Sequence, residues 1–121
     1  MNHIIYKELS GSALHRRKAD LVLKNARLVD VFTEEIRTAD IAVTDGMIAA
    51  AGDSYEGEKE VDLKGKYVLP GFIDAHLHLE STMVTPNELV TTAALHGTTT
   101  FIVDPHGAAN VSGPAGIDYI L

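Results

Sequence analysis

Up to about residue 68 the apolar residues come in short runs broken by polar punctuation. Leu21-Val22-Leu23 and Ala26–Phe32 read as two β-prone runs separated by Lys24-Asn25. Asp40–Thr44 alternates, Asp45-Gly46 is a two-residue hairpin signal, and Met47–Ala51 returns. Asp53–Glu60 is polar and reads as a loop. Val61-Asp62-Leu63 with Lys64-Gly65 reads as a short strand and turn. Residues 1–19 are ambiguous and fit a short helix broken at Ser10-Gly11-Ser12. Arg16-Arg17-Lys18 reads as a solvated face.

The period changes near Tyr67–Gly71, which divides the chain into a β-rich region at 1–68 and a second region at 69–121. Phe72–Leu79 reads as a buried strand. Thr85-Pro86-Asn87-Glu88 has the form of a capping box, with Thr85 at N-cap, Pro86 at N1 and Glu88 at N3. The helix it starts is expected over Pro86–His96, with Gly97 at C′ and Leu89, Ala93 and Leu95 on its inner face. Thr98–Val103 reads as a second buried strand, and Gly107, Gly113 and Gly116 as loop residues, with a further element starting near Gly116. Strand, helix, strand is a βαβ unit, so the two strands should be parallel. A parallel sheet is normally covered on both faces, so the expected fold class is α/β and the chain reads as the N-terminal piece of a longer protein.

Charge and composition narrow the function. With 10 Lys+Arg against 17 Asp+Glu, the formal net charge is −7. That balance argues against a nucleic-acid partner, which needs clustered cations. No apolar run is long enough to span a membrane, and the N-terminus lacks the pattern of a signal peptide, so a cytoplasmic protein without a membrane partner is expected. The absence of Cys excludes a disulfide framework, a thiolate metal site and a Cys nucleophile. The basic residues all lie between Lys7 and Lys66, while His76, His78, His96 and His106 lie beyond them with only carboxylates for company.

The strongest chemical signal is Asp74-Ala75-His76-Leu77-His78-Leu79-Glu80. Side chains two apart on a strand share a face, so Asp74, His76, His78 and Glu80 would point one way if the strand stayed regular. Two imidazoles placed so can converge on one divalent ion, and nearby carboxylates favour harder ions such as Mn. Asp104-Pro105-His106 ends the second strand, so His106 would open on the same mouth as His76 and His78. His96 ends a helix, where it meets the helix dipole, and His3 and His15 have no chemical context.

Val68-Leu69-Pro70-Gly71-Phe72-Ile73-Asp74-Ala75-His76-Leu77-His78 closely resembles the opening barrel strand of the amidohydrolase superfamily. Ala19–Phe32 and Asp40–Gly52 resemble that superfamily's small β-domain. His76–Met83, Gly97–Thr100, Asp104-Pro105-His106 and Ala109-Asn110-Val111 are similar to its adenine deaminase branch. The resemblance implies the N-terminal part of a TIM-type (β/α)₈ barrel, preceded by a small, β-sandwich-like composite domain. It implies hydrolytic deamination of adenine to hypoxanthine and ammonia in purine salvage, with one or two divalent ions, Mn or Fe, and Zn as the alternative. His76 and His78 match the metal-binding pair. Asp74 and Asp104 are expected beside the ligands, orienting them, and Glu80 and His106 are expected to line the site as catalytic groups. The implied partner is a small purine, and the implied assembly of the complete protein is a homodimer. Later strands would have to supply a bridging carboxylate, further His and an Asp, so residues 1–121 alone are expected to be inactive. A cyclic-amide hydrolase or an N-acetyl amino-sugar deacetylase is the rival within the superfamily, and a non-catalytic binding module is the rival outside it.

Overall fold

Ala19–Asp30 form one strand of 12 residues, β1, rather than two runs. Lys24-Asn25 does not break it. The pair lies opposite the single residue Asp40, between the register pairs Leu23↔Ile41 and Ala26↔Ala39, and forms a β-bulge with Asn25 at φ 54°. Asparagine tolerates that left-handed conformation, which is why the strand can absorb the extra residue and continue. The Asp40 carboxylate closes the bulge from the facing strand. It accepts the Asn25 backbone N–H at 3.0 Å and pairs with Lys24 Nζ at 2.5 Å. The strand ends at Asp30, whose carboxylate accepts the N–H groups of Phe32 and Thr33 in the following turn, so Phe32 lies outside the sheet and in solvent.

The computed structural model describes residues 3–121 and divides between Leu69 and Pro70 into two compact units. In the first, β2 (Glu35–Thr44) and β3 (Met47–Gly52) follow β1 as antiparallel neighbours. Asp45 and Gly46 join them at φ 52° and 71°, the two left-handed residues of a type I′ turn. Residues 53–60, expected as a loop, are only partly one. Gly57–Asp62 is β4, parallel to β1 in the register Ala19↔Gly57 to Lys24↔Asp62. Its polarity reflects its place at the sheet edge, in the strand order β3-β2-β1-β4. The short β5 (Tyr67–Val68) also pairs with β1 beyond the bulge, and Arg27 lies over the Tyr67 ring at 4.6 Å. The buried centre is small: Ala19, Val22 and Ala42, with Tyr55 packed against them.

Helix α1 (His3–Ala13) runs through Ser10-Gly11-Ser12 without a break. Tertiary contact overrides the weak local propensity. Ser12 is buried, with its hydroxyl 2.8 Å from that of Thr44 on β2.

In the second unit, β6 (Phe72–Leu77) and β7 (Thr98–Val103) pair in parallel, joined by α2 (Pro86–Leu95). The capping box forms with both reciprocal bonds, His96 is the C-cap and Gly97 follows at φ 94°. Leu89 and Ala93, four apart, are half-buried, but Leu95 is 82% exposed. Two residues after Ala93 the helix has turned more than half a revolution, so Leu95 cannot share that face. β6 and β7 are not buried strands among the described residues, since Phe72, Ile73 and Ile102 are exposed. Residues 106–112, expected as loop, form α3 (His106–Ser112), and α4 (Pro114–Ile120) follows. No described helix is long and apolar enough to cross a membrane.

Asp40 yields the first prediction. Burial pushes its carboxyl up, but the Lys24 hydrogen bond and charge and the Asn25 N–H outweigh this and hold it below its ordinary value. The same contact raises Lys24. The stabilisation from Asp40 is therefore complete above the unfolded-chain value of about 3.9 and is lost as pH falls through the lower folded value. Asp40→Ala leaves the bulge amide and the Lys24 ammonium without their shared acceptor and should cost about 2 kcal/mol in urea denaturation at pH 7, with a smaller cost at pH 3. An equal loss at both pH values would separate the bulge from this ion pair.

Candidate metal centre

The parallel pairing of β6 and β7 sets the site. Leu77 pairs with Val103, and the Asp104 N–H donates to the Leu77 carbonyl at 3.0 Å. His78 and Asp104 are thus the first residues past two adjacent strand ends. His78 Nδ1 lies 2.9 Å from the Asp104 carbonyl oxygen. A carbonyl can only accept, so His78 Nδ1 carries the hydrogen and the neutral ring holds its lone pair on Nε2. That Nε2 faces His76 Nε2 at 3.0 Å, with the ring centroids 4.9 Å apart. Two imidazole nitrogens bound tetrahedrally to one Zn-like ion would be about 3.3 Å apart. The pair is close to that separation, with the partner of His78 on its far ring nitrogen as metal-bound His requires.

His106, the first residue of α3, completes the cluster. Its Nδ1 is 3.1 Å from Asp104 Oδ2, and its ring packs edge-on to His78 at 4.9 Å. The His106 hydrogen bond and charge, together with the His78 charge, hold the Asp104 carboxyl below its ordinary range, against the opposing effect of desolvation. An ionised carboxylate also only accepts, so His106 donates from Nδ1 and, when neutral, keeps its lone pair on Nε2. Asp104 therefore orients two imidazoles, one through its main chain and one through its side chain. Donor atoms of His78, Asp104 and His106 lie within 4.8 Å of one another. The donor set, imidazole nitrogens with a carboxylate, suits a divalent first-row ion.

Glu80 and Asp74 are placed differently from the regular-strand expectation. β6 ends at Leu77, and after His78 the chain enters a 3₁₀ turn over Leu79–Thr82. This removes Glu80 from the strand face shared by Asp74 and His76. Glu80 instead reaches α3, where Oε1 accepts the Gly107 N–H at 2.8 Å. Backbone N–H groups, its own first and then those of Gly107 and Ala108, hold its carboxyl below the ordinary value despite desolvation. Oε2 is buried and has no partner among the described residues. Asp74 Oδ1 accepts the backbone N–H of His76 at 3.1 Å, not a ring nitrogen. It shapes the strand before the ligand pair rather than gripping an imidazole.

Two features were missed from the sequence. One is the Asp104 carbonyl, which no side-chain motif reveals. The other is Gly107. A Cβ there would lie 2.6 Å from Glu80 Oε1, so the glycine is what lets the carboxylate reach the amide. A glycine directly after Asp-Pro-His was the available signal.

Residues 67–121 match the model of the amidohydrolase family. The whole chain is 58% identical to an adenine deaminase of Desulfitobacterium hafniense (strain Y51), over 121 residues and 21% of that protein. It is 48% identical over 117 residues, 97% of this chain, to an adenine deaminase of Bacillus subtilis (strain 168), covering 20% of it. The chain thus spans about a fifth of the length of these relatives. Among solved structures, the L-hydantoinase (dihydropyrimidinase) of Arthrobacter aurescens aligns with TM-score 0.56 and 32% identity, over 72% of this chain and 21% of that one. The N-acyl-D-glutamate deacylase of Bordetella bronchiseptica, solved with zinc and a phosphonate inhibitor, aligns with TM-score 0.54 and 32% identity, over 72% and 19%. Residues 67–121, which match the amidohydrolase family model, hold every residue of the cluster.

Proposed function

We propose that the complete protein hydrolyses adenine to hypoxanthine and ammonia, and that His76 and His78 bind its divalent metal. The observation that carries the reading is the position of the cluster. It lies wholly inside a chain that is 46–58% identical to adenine deaminases. On this reading residues 1–68 are part of a composite β-domain. Residues 69–121 are the first βαβ unit of a (β/α)₈ barrel, whose chemistry gathers at the C-terminal strand ends where this cluster lies. Mn or Fe is the expected metal, with Zn as the alternative. A cytoplasmic, homodimeric enzyme of purine salvage goes with the same reading.

The net reaction adds one water. A C6–O bond forms, the C6–N bond to the exocyclic amine breaks, one water proton leaves with ammonia and the other stays on the purine. A bound divalent ion supplies an activated water at neutral pH. The chain's own residues do the rest. Nε2 of His76 and Nε2 of His78, 3.0 Å apart, would hold one ion between them. Asp104 fixes the His78 ring through its carbonyl and the His106 ring through its carboxylate. Glu80, clamped at Oε1 by Gly107, is a fixed anion beside His106. His106 stands at the same mouth to move a proton. The solved-structure likenesses favour a cyclic-amide hydrolase as second reading, but at 32% identity over 72% of the chain.

Three outcomes test this in the complete protein. His78→Ala should remove both bound metal and turnover, while Asp104→Ala, which leaves a main-chain carbonyl for His78 and frees only His106, should weaken metal binding by about 10–100-fold. Metal analysis that ranks the two variants equally would remove the carbonyl from the site. Glu80→Gln keeps an acceptor for Gly107 but loses the charge, so metal content should hold while turnover falls by about 10²–10⁴. Ammonia release from adenine, and none from hydantoin, separates the two substrate readings.

A further inference from the structure

We propose that the cleft at the exit of α1 is a binding site for a phosphate dianion, independent of the metal centre. The cleft encloses about 310 Å³, and its lining includes His15, Arg16, Arg17, Lys18, Ser54 and Glu56. Three permanent cations face one carboxylate there, in a chain whose net charge is −7. Arg17 and Lys18 are paired with carboxylates, and the third cation, Arg16, is the positive charge left to attract an anion.

The helix exit builds this arrangement. Arg16 N–H donates to the Gly11 carbonyl at 2.8 Å and His15 N–H to the Ser12 carbonyl at 3.2 Å, the paired bonds of a Schellman motif. The left-handed residue of that motif is His15, at φ 56°, where glycine would be unstrained. Its imidazole stacks flat on Tyr55, with centroids 4.6 Å apart and planes 6° from parallel. The strained position is thus held by a side chain that lines the cleft, the kind of site where strain accompanies function.

The three cations are not equivalent. Arg17 is paired with Glu8 and lies 3.7 Å from Asp20, and Lys18 lies 3.8 Å from Glu56. Arg16 makes no ion pair among the described residues, and its fork of N–H donors suits phosphate oxygens. A single cation would be explained by the C-terminal dipole of α1. Three of them, with Ser54 and a stacked imidazole around a cleft larger than phosphate, form a ligand site. The spare volume accommodates a sugar, so the source is either inorganic phosphate or a nucleoside monophosphate.

Isothermal titration calorimetry of the full chain, in metal-free buffer at low ionic strength, tests the proposal with inorganic phosphate, adenosine monophosphate and adenosine. Saturable one-to-one binding of phosphate or the nucleotide is expected, none of adenosine, and at least tenfold weakening in Arg16→Ala. Equal affinity for phosphate and nucleotide assigns the site to phosphate alone, and tighter nucleotide binding assigns it to a phosphorylated nucleoside. Arg16→Glu should abolish binding, with circular dichroism confirming the fold of each variant. Lys18→Ala serves as the second variant if Arg16→Glu does not fold. Absence of saturable binding by either phosphate compound, or unchanged affinity in Arg16→Ala, overturns the proposal.

Discussion

The main chain of Asp104 is the joint on which the candidate site depends. Its N–H closes the parallel ladder onto Leu77, and its C=O takes the His78 ring hydrogen. One peptide segment thereby ties strand register to imidazole tautomer. A slip in the pairing of β6 and β7 would carry the carbonyl away from Nδ1, and the ring would lose the partner that leaves Nε2 free for a metal. The carboxylate of the same residue repeats the device for His106. Chemistry at parallel strand ends is often described by the side chains that meet there. In this site the backbone is an equal participant, because a carbonyl cannot change protonation state and so fixes the tautomer at every pH at which the ring is neutral.

The geometry is local, and it forms although the sheet around it is open. Phe72, Ile73 and Ile102 are exposed in the second unit, whereas parallel strands normally bury both faces. The relatives are about five times longer than this chain. The five residues His76, His78, Glu80, Asp104 and His106 nevertheless need only two strand ends, one 3₁₀ turn and the first turn of α3. That economy limits what it can do. Two imidazoles, or two imidazoles and a carboxylate, leave coordination positions that other groups must fill. Residues 67–121 pre-shape the imidazole pair by themselves.

Much of this was legible in the sequence, for reasons that lie in individual residues. Thr85, Pro86 and Glu88 wrote the helix start because capping chemistry is confined to four consecutive positions. Asp45-Gly46 wrote a hairpin because few residues accept two left-handed conformations in a row. The approach of His76, His78, Asp104 and His106 followed from one inference, that β6 and β7 are parallel neighbours. The errors share a cause. Lys24-Asn25 looked like a break, Ser10-Gly11-Ser12 like a helix end, and residues 106–112 like loop, because local propensity was weak in each. The decisive partners were distant in sequence: Asp40 for the bulge and Thr44 for the helix. Alternation along Asp74–Glu80 also overran the strand, since periodicity does not show where the chain leaves the sheet.

That overrun bears on what Glu80 is for. Had β6 continued, Glu80 would have joined the strand face of Asp74 and His76, as one more ligand among carboxylates. The 3₁₀ turn sends it instead to the Gly107 amide, at a place only glycine allows. The amides hold the carboxyl ionised, and the bond to Gly107 leaves one oxygen buried without a partner. An unpaired buried carboxylate oxygen is costly. A structural clamp would have satisfied both oxygens. The half-satisfied state leaves Glu80 charged and held still, with its second oxygen shielded from solvent. The turn after His78 therefore takes Glu80 off the strand face of the imidazoles and sets it on the first turn of α3, so carboxylate and imidazoles are positioned by separate elements.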